Sequence, residues 1–325
     1  MKAAVYDAYG PPEVVRMAEV ENPSPKDHEI LVRIHATTVT SADARVRAMR
    51  TPKGFKLISR LVFGVRRPRR RILGTELAGV VEATGIAVTK FKDGDAVFGI
   101  SGLAMGCHAE YVCLPETAAL ALKPVGLSFE EAACLAFGGT TALSYLRKAT
   151  VLPGDKVLVN GASGAVGTAL VQLARHQGAD VTAVCSAANA ALVSSLGAGR
   201  VIDYALTDFS AEGKLYDVIA DIAGTAPFAR CRSSLKPGGR LLLVQASLPE
   251  MVTIPWVSLT SGRKIIAGPA DERVEDVRFL GGLAASGKYK AVIQRRLPLE
   301  NIVEAHRHVD QGHKVGNLVV SLGPC

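Results

Sequence analysis

The 325-residue chain lacks paired cysteines, long apolar runs and the composition of a disordered protein. Its six cysteines are Cys107, Cys113, Cys134, Cys185, Cys231 and Cys325. No two of them form a C-x-x-C pair, which excludes a zinc ribbon and a thioredoxin-like redox pair. No apolar run reaches the roughly 18 residues that a spanning helix needs, so we expect no membrane insertion. A content of 48% hydrophobic and 21% charged residues is typical of a globular protein, here long enough for two domains.

The first residues also lack the features of a signal peptide. Met1 to Tyr6 alternate in polarity as a strand does, without a charged region, an apolar region or a cleavage site. We therefore expect a cytoplasmic location, where cysteines stay reduced.

The formal net charge of +8 is accompanied by one dense basic run, Arg66 to Arg71, broken only by Pro68. No nucleic-acid-binding motif accompanies this run, and no aromatic residues are interleaved with its arginines. We interpret it as a solvent-exposed loop and predict no nucleic-acid partner. Two alternatives stay open for the run, namely RNA binding and attachment to a membrane surface.

The first 120 or so residues have the pattern of short strands joined by tight turns. Alternating residues predict strands at Ile30–Ile34 and Ala78–Glu82, and a turn at residues 92–95 leads into another strand. Glycines interrupt residues 99–106 before a further strand at Glu110–Cys113. This pattern predicts a β-rich domain.

From Lys123 onward, predicted strands alternate with helices. Ser128 followed by Glu131 predicts a capping box at the start of a helix. Apolar segments predict strands at residues 157–159, 181–185, 200–202, 217–220, 240–244 and 264–268. Short apolar strands alternating with helices predict a parallel sheet covered on both faces, and Pro237–Gly239 is predicted to turn the chain. The pattern loosens after about residue 270, where we expect the chain to return to the first domain.

Residues 160–167, Asn-Gly-Ala-Ser-Gly-Ala-Val-Gly, follow a predicted strand and open a predicted helix. Small residues there let the backbone approach a pyrophosphate, which the amides at a helix N-terminus attract. The G-x-x-G-x-x-G spacing is a weak signal alone, so the strand-to-helix context carries the prediction of a dinucleotide site. The predicted contacts are Gly161, Ser163, Gly164, Ala165, Val166 and Gly167.

The end of the second strand of this domain indicates which dinucleotide binds. Enzymes that use NAD usually have Asp or Glu there, which binds the ribose 2′-hydroxyl. Here Cys185 is followed by Ser186 and Asn189, without a carboxylate and without Arg or Lys. A hydroxyl and an amide suit a 2′-phosphate, so we predict NADPH bound by Ser186 and Asn189, with Tyr204 against the adenosine.

Two long segments resemble a known family. Gly74–Gly85 followed by Gly94–Val97 resembles the first-domain signature of the medium-chain dehydrogenase/reductase superfamily. Residues 161–167 resemble the fingerprint of its zinc-free quinone oxidoreductase subfamily, with Ala165 where many members have Gly. Further matches are Asp155–Val159, Leu196–Ala198 and Lys236–Gly239.

This resemblance spans nearly the whole chain and implies its α/β architecture. A Rossmann doubly wound parallel sheet is expected in residues 123–270. A discontinuous GroES-like β-rich domain is expected in residues 1–122 and 271–325. The resemblance also implies cofactor contacts at Thr140, Ala223 and Asn317.

Zinc alcohol dehydrogenases of this superfamily bind their catalytic metal through His and Cys. The matching residues here are Thr75 and Thr40, and only Gly99 to Gly106 occupies the region of the structural zinc lobe. Hydroxyls do not replace imidazole and thiolate as zinc ligands. The resemblance therefore implies a protein without a metal site.

Without a Lewis acid, the substrate must be electrophilic enough to take hydride from the nicotinamide directly. Quinones and α,β-unsaturated carbonyls meet this demand. The resemblance places Thr40, Asp43 and Arg45 beside the nicotinamide, although many relatives have Asn and Tyr where this chain has Thr40 and Arg45. We predict NADPH-dependent quinone reduction. The alternatives are 2-alkenal or enone reduction and, in another class, non-catalytic binding of NADPH or RNA.

The segment Lys264–Gly268 is expected to be the last strand of the parallel sheet. An exposed apolar edge leaves backbone N–H and C=O groups unpaired and is normally covered. A two-fold axis lets two such edges pair with each other, as the resemblance also implies. We therefore predict a homodimer joined through this strand. The alternative is a monomer in which a loop at residues 249–255 covers the edge.

Overall fold

The computed structural model describes residues 1–213 and 215–323, which form two compact units. Unit 1 contains residues 1–51, 56–137 and those from 272 onward, and unit 2 contains residues 52–55 and 138–271. The sequence placed the first boundary after residue 122. Residues 123–137 instead join unit 1, because the helix at Phe129–Ala133 packs against strands of that unit.

Unit 1 is β-rich, as predicted. Its strands are β1 (Lys2–Tyr6), β2 (Val15–Glu19), β3 (Glu29–Thr38), β4 (Glu76–Thr84), β5 (Ala96–Ile100), β6 (Tyr111–Pro115), β7 (Ala119–Leu122), β14 (Ile293–Pro298) and β15 (Asn317–Ser321). β1 and β2 pair with each other, and the larger sheet has the order β14-β15-β3-β4-β5-β7, with β6 also paired to β3. Pairing is antiparallel except between β14 and β15. Because β15 pairs with β3, unit 1 is discontinuous in sequence.

Unit 1 also contains helices, of which the sequence analysis predicted only the one that begins after Ser128. They are α1 (Ser41–Ala48), α2 (Lys56–Phe63), α3 (Phe129–Ala133), α9 (Val274–Ala285) and α10 (Ile302–Asp310). The strand-and-turn prediction for the first 120 residues was wrong at α1 and α2. A signal for α1 was present, because Thr40 and Asp43 form a capping box at its start. The capping box predicted at Ser128 and Glu131 is confirmed at the start of α3.

Unit 2 is the predicted doubly wound parallel sheet. Its strands are β8 (Lys156–Asn160), β9 (Asp180–Cys185), β10 (Arg200–Asp203), β11 (Tyr216–Asp221), β12 (Leu235–Leu243) and β13 (Lys264–Ala267). All pair in parallel in the order β10-β9-β8-β11-β12-β13. The strand order reverses between β8 and β11, where sheets of this class bind ligands. The helices are α4 (Ala136–Ala149), α5 (Ala165–His176), α6 (Ala190–Ser195), α7 (Phe228–Cys231) and α8 (Leu248–Ser261).

The turn predicted at Pro237–Gly239 is not a turn. These residues lie inside β12, which runs from Leu235 to Leu243. The register between β11 and β12 shifts at this point, and Gly238 has a φ of +72°. Gly238 therefore allows the strand to be irregular at this point. In the sequence alone, a glycine used in this way looks the same as a glycine in a turn.

Each unit has its own apolar core. In unit 1, Ile30, Leu77 and Leu120 are fully buried, and in unit 2 Ile219 and Leu241 are. Burying one such side chain contributes about 1.5–3 kcal/mol, so these clusters supply most of the stability of each unit. Among the described residues, no helix combines the length and the apolar character needed to cross a membrane.

Candidate active site

The predicted fingerprint, residues 160–167, comprises the last residue of β8, a tight loop at residues 161–164 and the first turn of α5. Gly161 has a φ of +85°, which favours glycine. The N–H groups of Gly161 and Ala162 both donate to the carbonyl oxygen of Val184 at 3.1 Å. A Cβ on Gly161 would lie 3.0 Å from the backbone nitrogen of Ala223. The absence of a side chain therefore lets the loops after β8 and β11 approach each other.

The other two glycines of the fingerprint have different surroundings. A Cβ on Gly167 would lie 2.1 Å from the carbonyl oxygen of Gly161, so this glycine is needed for helix packing. A Cβ on Gly164 would have one neighbouring atom within 4 Å, the carbonyl oxygen of Gly161 at 3.8 Å. Gly164 thus keeps the approach to the N-terminus of α5 open, where the first N–H groups have no acceptor within the helix. These residues fit a pyrophosphate.

Other predicted cofactor residues lie along the same edge of the parallel sheet. Ser186 and Asn189 follow β9, Tyr204 follows β10 and Ala223 follows β11. The Asn189 Nδ2 donates to Ser186 Oγ at 3.2 Å, and Tyr204 is 57% exposed. Because the carboxyl ends of parallel strands share an edge, the fold brings these residues to the side of the sheet that carries the fingerprint. Thr140 is buried within α4.

One acidic residue near this edge was not considered in the sequence analysis. Asp203, the last residue of β10, is in register with Cys185, the last residue of β9. Burial, and then the charge of Asp203, raise the pKa of the Cys185 thiol. The Asp203 carboxylate accepts from the N–H of Ala205 at 3.0 Å. A carboxylate is therefore absent from the end of β9 itself but present on the neighbouring strand.

A buried carboxylate orders the loop that contains Ala223. Asp221, the last residue of β11, is 2% exposed. It accepts hydrogen bonds from the N–H groups of Gly224, Thr225 and Ala226 at 3.0, 3.3 and 2.8 Å and from Asn160 Nδ2 at 2.8 Å. These donors compensate for the loss of hydration without a cation. The sequence analysis missed Asp221, although an acid that ends an apolar strand was a usable signal.

Of the three predicted catalytic residues, Thr40 and Asp43 lie at the start of α1 in unit 1, and Arg45 lies in its last turn. Thr40 and Asp43 are buried. One Asp43 oxygen accepts from the N–H and the hydroxyl of Thr40 at 2.8 and 2.5 Å. The other accepts from the N–H of Gly74 at 3.1 Å. The Asp43 carboxylate is thus occupied within the fold, where it joins α1 to the chain before β4.

Two donors in this part of unit 1 have no partner among the described residues. The Arg45 guanidinium is half-buried, and this burial, together with the charge of Arg50, lowers its pKa. The Thr75 hydroxyl is buried without a hydrogen bond. Leaving a buried donor unpaired costs about 1–3 kcal/mol, so the Thr75 hydroxyl is a candidate to bind an oxygen atom of a ligand. The half-buried Arg45 guanidinium carries no such penalty but is also available to a ligand.

Two ionisable groups of unit 1 with shifted pKa values, Glu76 and Lys314, were not predicted. Glu76 accepts from the Thr38 hydroxyl at 2.5 Å and from the N–H of Phe137 at 2.6 Å. Burial nevertheless raises the pKa of Glu76 to about 7. Burial lowers the pKa of Lys314 to about 8, while the charge of Glu76 opposes this. Glu76 lies inside the signature segment Gly74–Gly85, just before the predicted strand Ala78–Glu82, and the observed strand β4 begins at this acid.

Asn317 lies in unit 1, as the first residue of β15, and is buried. Its Nδ2 donates to the carbonyl oxygens of Cys134 and Val292 at 3.4 and 3.2 Å. These contacts use both hydrogens of the amide, so only its Oδ1 is left for a ligand. Its role in cofactor binding stays a prediction.

The two positions that match zinc ligands are occupied by threonine hydroxyls. The Thr40 hydroxyl is hydrogen-bonded to Asp43, and the Thr75 hydroxyl is the unpaired donor described above. Within residues 1–213 and 215–323, no group of three or more His, Cys, Asp or Glu side chains is arranged to hold a metal ion.

Comparison with known proteins identifies the family. Residues 26–124 match the family model described as an alcohol dehydrogenase GroES-like domain, and residues 196–320 match that of a zinc-binding dehydrogenase. The chain is 30% identical to a chloroplastic quinone-oxidoreductase homolog of Spinacia oleracea, over 98% of both chains. The chain belongs to the medium-chain dehydrogenase/reductase superfamily, in its quinone oxidoreductase subfamily. The predicted family is confirmed.

Two further proteins extend the comparison. The quinone oxidoreductase from Coxiella burnetii has a structure with a TM-score of 0.89 and 30% identity, over 99% of both chains. The chloroplastic NADPH-dependent alkenal/one oxidoreductase of Arabidopsis thaliana is 30% identical over 98% of this chain and 79% of its own. The chain is therefore an oxidoreductase with a nicotinamide cofactor and a small-molecule acceptor. The model described as zinc-binding matches residues 196–320, which include neither Thr40 nor Thr75.

The open surroundings of Gly164 predict a specific loss of cofactor binding. Gly164→Val should leave the protein folded, because Gly164 has the extended conformation that valine favours, with a φ of −77° and a ψ of 175°. The branched side chain should fill the approach to the helix N-terminus and weaken NADPH binding by about 100-fold or more, a loss of roughly 3 kcal/mol. Isothermal titration calorimetry measures the affinity, and thermal unfolding checks the fold. The control Gly167→Ala should instead lower the melting temperature. Unchanged NADPH affinity in Gly164→Val contradicts the placement of the site.

Because its pKa is raised in the folded protein, Glu76 should lower the free energy of unfolding as pH rises. In the folded protein Glu76 releases its proton at about pH 7, compared with 4.5 when unperturbed. The contribution of Glu76 to the free energy of unfolding is therefore fully present below pH 4.5 and is lost as pH rises through 7. This loss amounts to roughly 3 kcal/mol in total. Denaturant unfolding of Glu76→Gln should lack this part of the decline, since glutamine resembles the protonated acid. Glu131→Gln, which removes a carboxylate of lowered pKa, should retain it. Parallel profiles for Glu76→Gln and the unmodified protein would contradict the assignment.

Proposed function

We propose that this oxidoreductase reduces quinones by hydride transfer from NADPH, without zinc. The observation that carries the proposal is the unpaired hydroxyl of Thr75, at a position that matches a zinc ligand of zinc-dependent relatives. We add Arg45, on α1 of the same unit, as a second donor. The names of the relatives from Spinacia oleracea and Coxiella burnetii support quinones as the acceptor.

The chain's own groups have distinct tasks in this proposal. Bound NADPH supplies the hydride, and residues 160–167 with the N-terminus of α5 hold its pyrophosphate. Arg45 and Thr75 donate hydrogen bonds to the acceptor oxygen that gains negative charge. Asp43 and Thr40 position the start of α1 and do not touch the acceptor. We assign the proton that completes the reduction to solvent.

A second candidate, reduction of 2-alkenals or enones, uses the same residues. It is favoured by the similarity to the Arabidopsis thaliana alkenal/one oxidoreductase. In both reactions negative charge develops on a carbonyl oxygen, so the same two donors serve both. Measured turnover of a quinone and a 2-alkenal under identical conditions separates the two proposals.

The proposed donor Arg45 predicts a kinetic effect. Arg45→Gln should lower kcat/KM for quinones by about 100-fold, because a charged donor to the developing oxyanion is lost. NADPH affinity should stay unchanged. Steady-state assays of NADPH oxidation, with and without a chelator, measure this effect and also test the absence of a zinc requirement.

The matched control for Arg45 is Arg50→Gln, on the exposed arginine that pairs with Asp310 near the end of the same helix. It should retain kcat/KM. Equal losses in both variants would show a structural effect, and full activity of Arg45→Gln would remove Arg45 from the mechanism. Activity lost to the chelator and restored by zinc would overturn the zinc-free proposal.

NADPH is proposed over NADH because no carboxylate follows β9, and the name of the Arabidopsis relative supports this choice. Ser186→Asp should reverse the preference, since a second charge there repels a 2′-phosphate and accepts from a 2′-hydroxyl. We expect the ratio of the two dissociation constants to change by at least about tenfold. Asp203→Asn tests the neighbouring acid and should leave NADPH preferred. Equal affinities for both cofactors in the unmodified protein would remove the premise.

A homodimer through β13 is the proposed assembly. β13 is the last strand of the parallel sheet, as predicted, and therefore an edge. The N–H of Ile265 turns away from β12 and donates to Ser258 Oγ at 3.3 Å, so alternate residues of β13 face outward. Val252, Trp256 and Leu259 of the neighbouring α8 are 71–81% exposed. A partner edge would pair the outward backbone groups and cover these side chains.

Because the residues of β13 alternate between facing β12 and facing outward, the dimer is tested at a residue that faces outward. Ala267→Pro removes an outward N–H and leaves the bonds to β12 intact, so it should weaken the dimer without lowering the melting temperature. Light scattering should give about 68 kDa for the unmodified protein, twice the 34.1 kDa of one chain. A mass of 34 kDa for the unmodified protein, or an undisturbed dimer in Ala267→Pro, would contradict this interface. The cytoplasmic location also stays a prediction.

A further inference from the structure

The protein's positive charge is concentrated in one segment. Residues 44–75 contain eleven of the 38 lysines and arginines and none of the 30 acidic residues. The other 293 residues therefore carry 27 basic and 30 acidic side chains, a formal charge of −3. The net charge of +8 is a property of residues 44–75 alone.

Within this segment, α2 has its apolar residues on the outside. Leu57, Ile58, Leu61 and Val62 lie on one helical face, which Val65 continues, and all five are 46–71% exposed. No residue of α2 is buried, and Phe63 is the one that packs against the core of unit 1. Helices of globular proteins usually turn such a face inward, so a contiguous apolar face in solvent marks an interaction site.

The arginines after α2 are held beside this face and are free of acidic partners. Within the described chain, the exposed side chains of Arg66, Arg67, Arg69 and Arg70 have no carboxylate within 4.0 Å. The N–H of Arg69 donates to the carbonyl oxygen of Phe63 at 2.8 Å, and that of Gly64 to Arg60 at 2.9 Å. These bonds fix the loop at the end of α2, so the apolar face and the positive charges are adjacent.

We propose that this basic–apolar surface, formed by α2 and residues 64–71, docks the protein on an anionic lipid bilayer. The apolar side chains would enter the boundary between headgroups and acyl chains, while the guanidinium groups bind lipid phosphates. An RNA partner explains the charge but not the outward apolar face, and the surface has no exposed aromatic residue on which bases stack. The proposal is independent of the reductase activity.

Vesicle flotation tests the proposal directly. The full-length protein should float with vesicles of equal parts phosphatidylglycerol and phosphatidylcholine, bind them less at high ionic strength, and stay unbound with phosphatidylcholine alone. Failure to float with the anionic vesicles at low ionic strength overturns the proposal. Binding of an RNA oligonucleotide in place of the vesicles also overturns it.

Two variants with matched controls separate the contributions of charge and apolar contact. Neutralising Arg66, Arg67, Arg69 and Arg70 to Gln should lower the partition coefficient by roughly 100-fold or more. The charge-matched control changes Lys26, Lys90, Lys92 and Lys288 to Gln and should retain most binding. Leu57→Ser with Leu61→Ser should weaken binding roughly tenfold or more, whereas Ile86→Ser with Val125→Ser should not. Equal effects of variants and controls overturn the assignment to this surface.

A fluorescent residue reports the contact itself. Ile58→Trp in a Trp256→Phe background places the only tryptophan of the chain on the apolar face. Its emission should shift to shorter wavelength with anionic vesicles, and NADPH affinity should stay unchanged. Vesicle binding without this shift would place the contact elsewhere. A lower mass of the Leu57→Ser, Leu61→Ser variant in light scattering would identify the face as a contact between copies of the chain and also overturn the proposal.

Discussion

The candidate site depends on buried carboxylates that are satisfied by backbone N–H and hydroxyl groups. Such a charge loses its hydration on burial and needs several donors, so the chain around it must adopt one geometry. Asp43 fixes the start of α1 against Gly74, and Asp221 fixes the loop that contains Ala223. Glu76 joins Thr38 to the N-terminal end of α4 through Phe137. Loops that would otherwise be mobile thereby become rigid supports for the groups proposed to bind the cofactor and the acceptor.

The parts of the fold that local sequence patterns determine were predicted. The apolar segments of β8 to β11, the helix after the fingerprint and the capping box at Ser128 depend on neighbours within a few residues. The edge position of β13 followed from its place as the last strand of an alternating series. The short-range patterns of strands and helices were therefore sufficient for the alternating architecture of unit 2.

The residues that sequence reasoning missed are defined by contacts between distant segments. Glu76 and Lys314 are 238 positions apart, and no local pattern shows that burial will bring their pKa values to about 7 and 8. Asp203 ends β10, whereas Ser186 follows β9, so the position of Asp203 beside Cys185 depends on the order of the sheet. α2 was missed for another reason: its apolar face turns outward, and its short amphipathic pattern stands beside an arginine run that indicated a loop.

In the proposed zinc-free mechanism, the residues at the zinc-ligand positions also restrict the substrates that the protein can reduce. Zinc as a Lewis acid stabilises a developing alkoxide by several kcal/mol, which lets relatives act on unactivated carbonyls. A hydrogen bond from a charged group contributes about 1.5–3 kcal/mol, and one from a neutral hydroxyl contributes less. If Arg45 and Thr75 take the place of a metal ion as proposed, their two hydrogen bonds favour an acceptor that itself stabilises the developing charge. Quinones and enones do so because the negative charge is delocalised over a conjugated system, whereas simple ketones do not.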